Sequence, residues 1–172
     1  MIENLLLLVT LVLFPALMAF SASSDIFSMK ISNRVSLALA AGYPVLAFAV
    51  GVPAAAILTN IGCGAAVLVL TFFMFTRGWI GGGDAKLAAA TAPWLGWALM
   101  LDYGLIVSVL GGLLTLAIVL ARRAPLPAWA ERLDWVARLH HPGNGVPYGV
   151  ALAAAGLALY PSSQIWRAAT GL

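Results

Sequence analysis

Long uncharged runs of apolar residues are the feature that most restricts how this sequence can fold. Of its 172 residues, 63% are hydrophobic and 9% are charged, whereas an ordinary soluble domain has about 25% charged residues. So few charges cannot cover a water-exposed surface, and the sequence therefore predicts an integral membrane protein. The first run begins with Glu3 and contains no Lys or Arg. A signal peptide has a positively charged start, so we expect this run to remain as the first membrane-spanning helix.

Six apolar runs are predicted to cross a bilayer, whose apolar core of about 30 Å takes about 20 helical residues. These spans cover residues 5–24, 35–50, 54–75, 85–101, 103–121 and 146–160. Gly42 and Pro44 predict a kink in the second span, and Pro93 predicts one in the fourth. Asp102 and Tyr103 predict a tight turn between the fourth and fifth spans. The whole chain is thus predicted to form one all-α domain, a bundle of six transmembrane helices.

Basic residues are concentrated in alternate connections between these spans. Eight of the nine Lys and Arg residues lie in the first, third and fifth connections: Lys30, Arg34, Arg77, Lys86, Arg122, Arg123, Arg132 and Arg138. Because cytoplasmic loops carry the excess of positive charge, these connections are predicted to face the cytoplasm, with both termini in the periplasm. The longest connection, residues 122–145, fits either an in-plane interfacial helix after Pro127 or a basic loop that sets the topology.

Three consecutive glycines, Gly81 to Gly83, stand before Asp84 and the fourth apolar run. Glycine has no Cβ, so another chain can approach its backbone closely. An acid at the start of a helix lies near free N–H groups and the positive end of the helix dipole. Asp84 is therefore a candidate for peptide chemistry, and it is equally consistent with an ordinary N-cap.

Asp25 and Asp84 are the two of the six acidic residues that lie where a span meets a predicted cytoplasmic connection. Two carboxyls at hydrogen-bonding distance tend to share one proton. Such a pair can activate water with the ionised partner and polarise a carbonyl with the protonated one. The helix start favours Asp84 as the ionised partner. The alternative is that both acids form ordinary ion pairs with the nearest basic residues, which are Lys30, Arg34, Arg77 and Lys86.

Three short motifs carry a resemblance to a known family. Gly81-Gly82-Gly83-Asp84-Ala85-Lys86-Leu87 matches the G-x-G-D-x-K-L motif of the prepilin peptidases, which are membrane aspartic proteases. Asp25 stands six residues before Ile31-Ser32-Asn33, which resembles the family's I-P-N element with serine in place of proline. Pro147-Tyr148-Gly149 resembles the family's P-[FY]-G element. The three matches occur in the family's order, so the sequence is similar to prepilin peptidases over residues 25–149.

The resemblance implies that Asp25 and Asp84 are the catalytic pair of an endopeptidase that acts through water, without a metal or another cofactor. It implies a type IV pilin precursor as substrate, cut at the cytoplasmic face of the bacterial inner membrane between its basic leader and its hydrophobic helix. The chain is similar to the short members associated with tight-adherence (Flp-type) pili, which lack the cytoplasmic domain with paired cysteines. The same resemblance implies a substrate-binding set of Gly81, Gly82, Gly83, Lys86, Asn33, Pro147, Tyr148 and Gly149.

Two functions of other classes would use the same chain differently. A small proton-coupled transporter or channel would use both acids as a proton relay, but transporters place polar groups near mid-bilayer, whereas these acids are predicted at one surface. A non-catalytic assembly scaffold would need neither acid. A metal site is not expected, because Cys63 is the single cysteine and the adjacent His140 and His141 would point about 100° apart on a helix. The expected partners are the precursor and the lipid bilayer, and not nucleic acid, since the basic residues are spread over three connections.

Overall fold

The computed structural model describes residues 2–171, and their side chains from residue 5 onward. Over these residues the chain forms helices and no β-strand, which confirms the predicted all-α class. The helices are α1 Ile2–Ser28, α2 Asn33–Ala49, α3 Ala54–Thr76, α4 Gly82–Leu95, α5 Met100–Ala121, α6 Ala128–Glu131, α7 Asp134–His140, α8 Tyr148–Leu159 and α9 Gln164–Thr170. Short 3₁₀ turns at Trp97–Leu99 and Tyr160–Ser162 precede α5 and follow α8. The predictions above also used the two terminal residues and the side chain of Glu3. These lie outside the part of the chain that the structure describes.

Three segments are long and apolar enough to cross a membrane: Leu5–Ser28 in α1, Ala54–Thr76 and Trp97–Ala121. The chain is therefore a multi-pass membrane protein. The other three predicted spans coincide with α2, α4 and α8, which have 17, 14 and 12 residues. They are shorter than the roughly 20 residues that a full perpendicular crossing takes. The six-span count and the periplasmic termini stay predictions.

The short helix α4 forms the centre of the bundle, and α2, α3 and α8 pack around it. Every residue from Leu87 to Leu95 is buried. Small side chains make this helix narrow, so that the backbones of its neighbours approach closely. The small residues are Ala85, Ala88, Ala89, Ala90 and Ala92.

An aromatic cluster fixes the end of α4 that is remote from Asp84. The Trp94 ring packs against Phe14 and Tyr160, with centroid distances of 5.2 and 6.1 Å, and edge-on against Tyr43 at 5.8 Å. The Trp94 indole N–H donates a hydrogen bond to the Leu39 carbonyl at 3.0 Å. Because these rings come from α1, α2 and the end of α8, one buried tryptophan joins four parts of the bundle.

Two helix boundaries differ from the predictions. α1 continues past Ser24 and ends at Ser28, so Asp25 lies in its last turn. The chain leaves α1 at Met29, whose φ of 55° is in the left-handed region. The predicted turn at Asp102 and Tyr103 is wrong, because both residues lie in the first turns of α5. The chain turns instead at Gly96, which has a φ of 73°, a conformation that glycine adopts without a Cβ clash.

The connection between α5 and α8 contains two short helices, α6 and α7, instead of one interfacial helix. Leu133 interrupts the helix with an extended backbone (φ −96°, ψ 102°), and Asp134 then begins α7, where the free N–H groups favour an acid. The Trp135 ring of α7 packs edge-on against Phe27 of α1, with 5.6 Å between centroids. The connection is therefore docked on the end of α1.

Replacing Trp94 by alanine is expected to lower the free energy of unfolding by about 3–5 kcal/mol, the range for buried Trp-to-Ala changes. The change opens a cavity between helices and removes the indole hydrogen bond to the Leu39 carbonyl. Thermal unfolding of the purified protein in detergent, followed by circular dichroism, measures the effect. Trp129→Ala is the control, because the Trp129 side chain is 70% exposed. Equal midpoints for the two variants would contradict the central role of Trp94.

Candidate active site

A cavity of about 340 Å³ lies at the end of the bundle where α1 stops and α4 starts. Both Asp25 and Asp84 line it, so the structure brings together the two acids that the sequence analysis paired. The remaining lining residues come from the turn after α1 and from the glycines before α4: Met29, Lys30, Ile31, Gly81, Gly82 and Gly83. The first and third connections thus meet at one end of the bundle.

Asp25 is 6% exposed, and the start of α8 holds its carboxylate. Its Oδ2 atom accepts a hydrogen bond from the backbone N–H of Gly149 at 2.7 Å. This N–H is free because the first N–H groups of a helix have no partner within that helix. A Cβ on residue 149 would lie 2.8 Å from Asp25 Oδ2 and 2.8 Å from Ile31 Cδ1. The hydrogen bond therefore requires glycine at this position.

Asp84 is the third residue of α4, and the N-cap is Gly81. The Asp84 carboxylate folds back against Gly81, where a Cβ would lie 2.8 Å from Asp84 Oδ2. Asp84 lies outside the three segments long enough to span a membrane. Burial and, to a smaller extent, the neighbouring Asp25 raise the pKa of Asp84, against a smaller lowering by the Gly81 backbone.

The raised pKa of Asp84 bears on which of the two acids holds the shared proton, and that assignment stays a prediction. The sequence favoured Asp84 as the ionised partner because it begins a helix. In the structure, burial outweighs the helix start and raises the pKa of Asp84 to about 6, so Asp84 holds a proton more strongly than an ordinary aspartate does. The Gly149 N–H donated to Asp25 stabilises negative charge on the other carboxylate. The two carboxyls therefore have the unequal surroundings that separate an acid from a base.

The basic residues near Asp84 have other partners. The Lys86 ammonium donates to Asn33 Oδ1 at 3.0 Å, and the Arg77 guanidinium lies over the Phe73 ring at 5.2 Å. Burial, Asp25 and the Gly81 backbone are the main influences on the pKa of Asp84. The surroundings of Asp84 therefore favour a carboxyl pair over the alternative of an ion pair.

The three glycines before and at the start of α4 are needed for close approach. A Cβ on Gly82 would lie 3.2 Å from the Phe75 ring, and one on Gly83 would lie 3.2 Å from Ile31 Cβ. None of the three has a positive φ, so the conformational freedom of glycine is not required here. The glycines allow the turn after α1 to pack directly on the start of α4.

Pro147 and Tyr148 lie behind the cavity and do not line it. Pro147 precedes the first residue of α8. The Tyr148 ring packs on Gly111 of α5, where a Cβ would come within 2.5 Å of it. Both residues support the start of α8, and Gly149 is the member of the motif that contacts an acid.

Arg122 is a residue whose structural role the sequence did not indicate. Its Nε donates to the Leu139 carbonyl at 2.9 Å, and its Nη2 donates to the carbonyls of Asn144 and Gly145 at 3.0 Å each. These contacts order the backbone that leads into Gly149.

Met29 and Lys30 were also not predicted to line the site. Their position between Asp25 and the Ile31-Ser32-Asn33 element was the available signal.

The fold and site define a multi-pass helical membrane protein with two carboxyls facing one cavity at the end of its helices. A profile of the Type IV leader peptidase family matches residues 12–116, which is more than half of the chain. The chain belongs to the Type IV leader peptidase family and is a protease, which confirms the resemblance to prepilin peptidases. Both acids lie within the matched residues, and Gly149 lies outside them. Comparisons with curated proteins and with solved structures found no match.

Asp25→Asn is expected to lower the pKa of Asp84, because removing a neighbouring negative charge makes ionisation easier. The carboxyl infrared band of the purified protein, titrated against pH, measures this pKa, and its absence in Asp84→Asn assigns the band. Asp102→Asn is the control and should leave the titration unchanged, since Asp102 begins α5 at a distance from the cavity. An unchanged pKa in Asp25→Asn would contradict coupling of the two carboxyls.

Gly149→Ala is expected to reduce precursor cleavage by about 100-fold, the cost of displacing a functional group by about 1 Å. The added Cβ would contact Asp25 Oδ2 and force that carboxylate to move. Gly145→Ala is the matched control in the same segment, because a Cβ there meets nothing within 4 Å. Full activity of Gly149→Ala in a precursor cleavage assay would show that the hydrogen bond does not matter.

Proposed function

We propose that this protease is an aspartic prepilin peptidase that cleaves the leader from Flp-type pilin precursors. The observation that carries the proposal is the cavity lined by both Asp25 and Asp84. Its volume of about 340 Å³ leaves room for water and for an extended segment of peptide, since one water occupies about 30 Å³ in the liquid.

In the proposed mechanism, the ionised Asp25 takes a proton from a water molecule as the water oxygen attacks the scissile carbonyl carbon. Asp84 donates its proton to the carbonyl oxygen, which neutralises the charge that develops there. The C–N bond then breaks, and the nitrogen of the leaving segment takes the proton that Asp25 received. Loss of a proton from the tetrahedral hydroxyl to Asp84 re-forms the carbonyl. The hydrogen bond from Gly149 holds Asp25 in place throughout.

The glycines supply the surface for an extended substrate. Gly81, Gly82 and Gly83 line the cavity and present backbone without side chains, so a strand can approach close to Asp84. The connections that meet around the site carry Lys30 and Arg122, and the distribution of basic residues predicts that they face the cytoplasm. A cut between a basic leader and an apolar helix at the cytoplasmic face of the inner membrane is consistent with this arrangement.

The position of the acids favours this function over a proton relay. Asp25 is in the last turn of α1, and Asp84 is in the first turn of α4. Transport sites typically lie near mid-bilayer at broken helices, whereas these carboxyls lie at helix ends, beside a polar turn.

Asp25→Asn and Asp84→Asn are each expected to reduce cleavage of a co-expressed Flp-type precursor by about 10²–10⁴-fold, the contribution of a general acid or base. The precursor and mature pilin are separated by gel electrophoresis, with equal enzyme levels verified by immunoblot. Asp102→Asn is the matched control and should process the precursor normally. Processing that survives in either of the first two variants would rule out the proposed pair, and a non-catalytic scaffold predicts no effect in all three.

A further inference from the structure

Three main-chain carbonyls between α7 and α8 share one side chain as their donor, the guanidinium of Arg122 at the end of α5. Its Nε donates to the Leu139 carbonyl, and its Nη2 donates to the carbonyls of Asn144 and Gly145. Leu139 lies in the last turn of α7, where carbonyls have no partner within the helix. One guanidinium reaches all three acceptors because its donors are fixed in a planar fork. Arg122 therefore ties the end of α7 to the residues that precede α8.

A tight turn connects the last of these carbonyls to the N–H that binds Asp25. The Tyr148 N–H donates to the Val146 carbonyl at 2.8 Å, and Pro147 between them has φ −72° and ψ 81°. These angles are those of an inverse γ-turn, and the proline ring fixes its φ. A displacement of Gly145 therefore displaces the Gly149 N–H as well, because the turn between them has little freedom to absorb it.

Both α7 and the start of α8 are attached to the last turn of α1. Asp25 accepts the hydrogen bond from Gly149, and Phe27, two positions later, packs edge-on against Trp135 of α7. Arg122 joins these two attachments, since it contacts the end of α7 and the backbone before α8. The contacts thus form a closed ring, in which Arg122 is the only member that comes from α5.

We propose that Arg122 is a positioning residue for precursor cleavage, because it holds the Gly149 N–H against the Asp25 carboxylate. This inference rests on the proposed function, in which Asp25 takes a proton from water. Arg122 does not line the cavity of the two acids and acts through the backbone alone. Lysine at this position keeps the charge that favours a cytoplasmic connection but replaces the planar fork by a single ammonium. The substitution therefore separates the positioning role from the role of the charge.

Two adjacent arginines provide a matched kinetic test. Arg122→Lys is expected to lower kcat for an Flp-type precursor about tenfold with KM unchanged, because it displaces a reacting carboxylate without removing a substrate contact. Arg123→Lys is the control and should keep the wild-type kcat, since the Arg123 side chain is exposed. A wild-type kcat in Arg122→Lys, or an equal loss in both variants, would overturn the proposal. A wild type that cleaves no precursor would refute the proposed function instead.

The Gly149 amide also gives a spectroscopic readout that needs no substrate. Tyrosine precedes glycine only at Tyr148-Gly149 and Tyr103-Gly104, so carbonyl-¹³C tyrosine and ¹⁵N glycine together leave two amide signals in a carbonyl-correlated NMR spectrum. The Gly149 proton is expected to move upfield in Arg122→Lys, as it should in Asp25→Asn, because its hydrogen bond to a carboxylate is weakened. Gly104 of α5 is the internal control, and its unchanged signal shows that the variant is folded. A Gly149 signal that keeps its wild-type position in Arg122→Lys would overturn the proposal, whatever the cleavage assay shows.

Discussion

The hydrogen bond from the Gly149 N–H to the Asp25 carboxylate is the contact on which the site depends. A buried carboxylate is costly unless donors surround it, and the start of a helix has N–H groups that lack partners. The Gly149 N–H gains an acceptor and the Asp25 carboxylate gains a donor, although the two residues are 124 positions apart in the sequence. The contact also fixes the start of α8 against the last turn of α1. Residue 149 is therefore a glycine because the Asp25 carboxylate of α1 lies where a Cβ would be.

The long basic connection between α5 and α8 stabilises the backbone that donates that hydrogen bond. Arg122 donates to carbonyls near both ends of the segment that follows α7, and the Asn144 side-chain amide donates to the Arg138 carbonyl at 2.7 Å. The packing of Trp135 on Phe27 attaches α7 to the end of α1. One arginine thus has two physical roles, since its charge favours a cytoplasmic connection and its guanidinium orders the backbone that leads to Gly149.

The parts of this structure that depend on local sequence were predictable, and those that depend on neighbours were not. Runs of apolar residues located the helices, and the two acids at the ends of such runs do line one cavity. The turn at Gly96 was not predictable from hydropathy, because Trp97–Leu101 is apolar and Asp102 is the first charged residue after it. The raised pKa of Asp84 follows from burial and from the charge of Asp25, neither of which is local. The carbonyl contacts of Arg122 likewise exist only once α7 has docked.

The short helix α4 determines where the bundle can open. Its far end is fixed by the hydrogen bond from Trp94 to Leu39 and by three aromatic neighbours, so moving that end would disrupt the core. Its near end is joined to α2 by the exposed contact between Lys86 and Asn33, and exposed polar contacts of this kind contribute about 0–1 kcal/mol. The two ends of α4 are therefore held unequally, and the end that carries Asp84 can move at a lower cost than the end that carries Trp94.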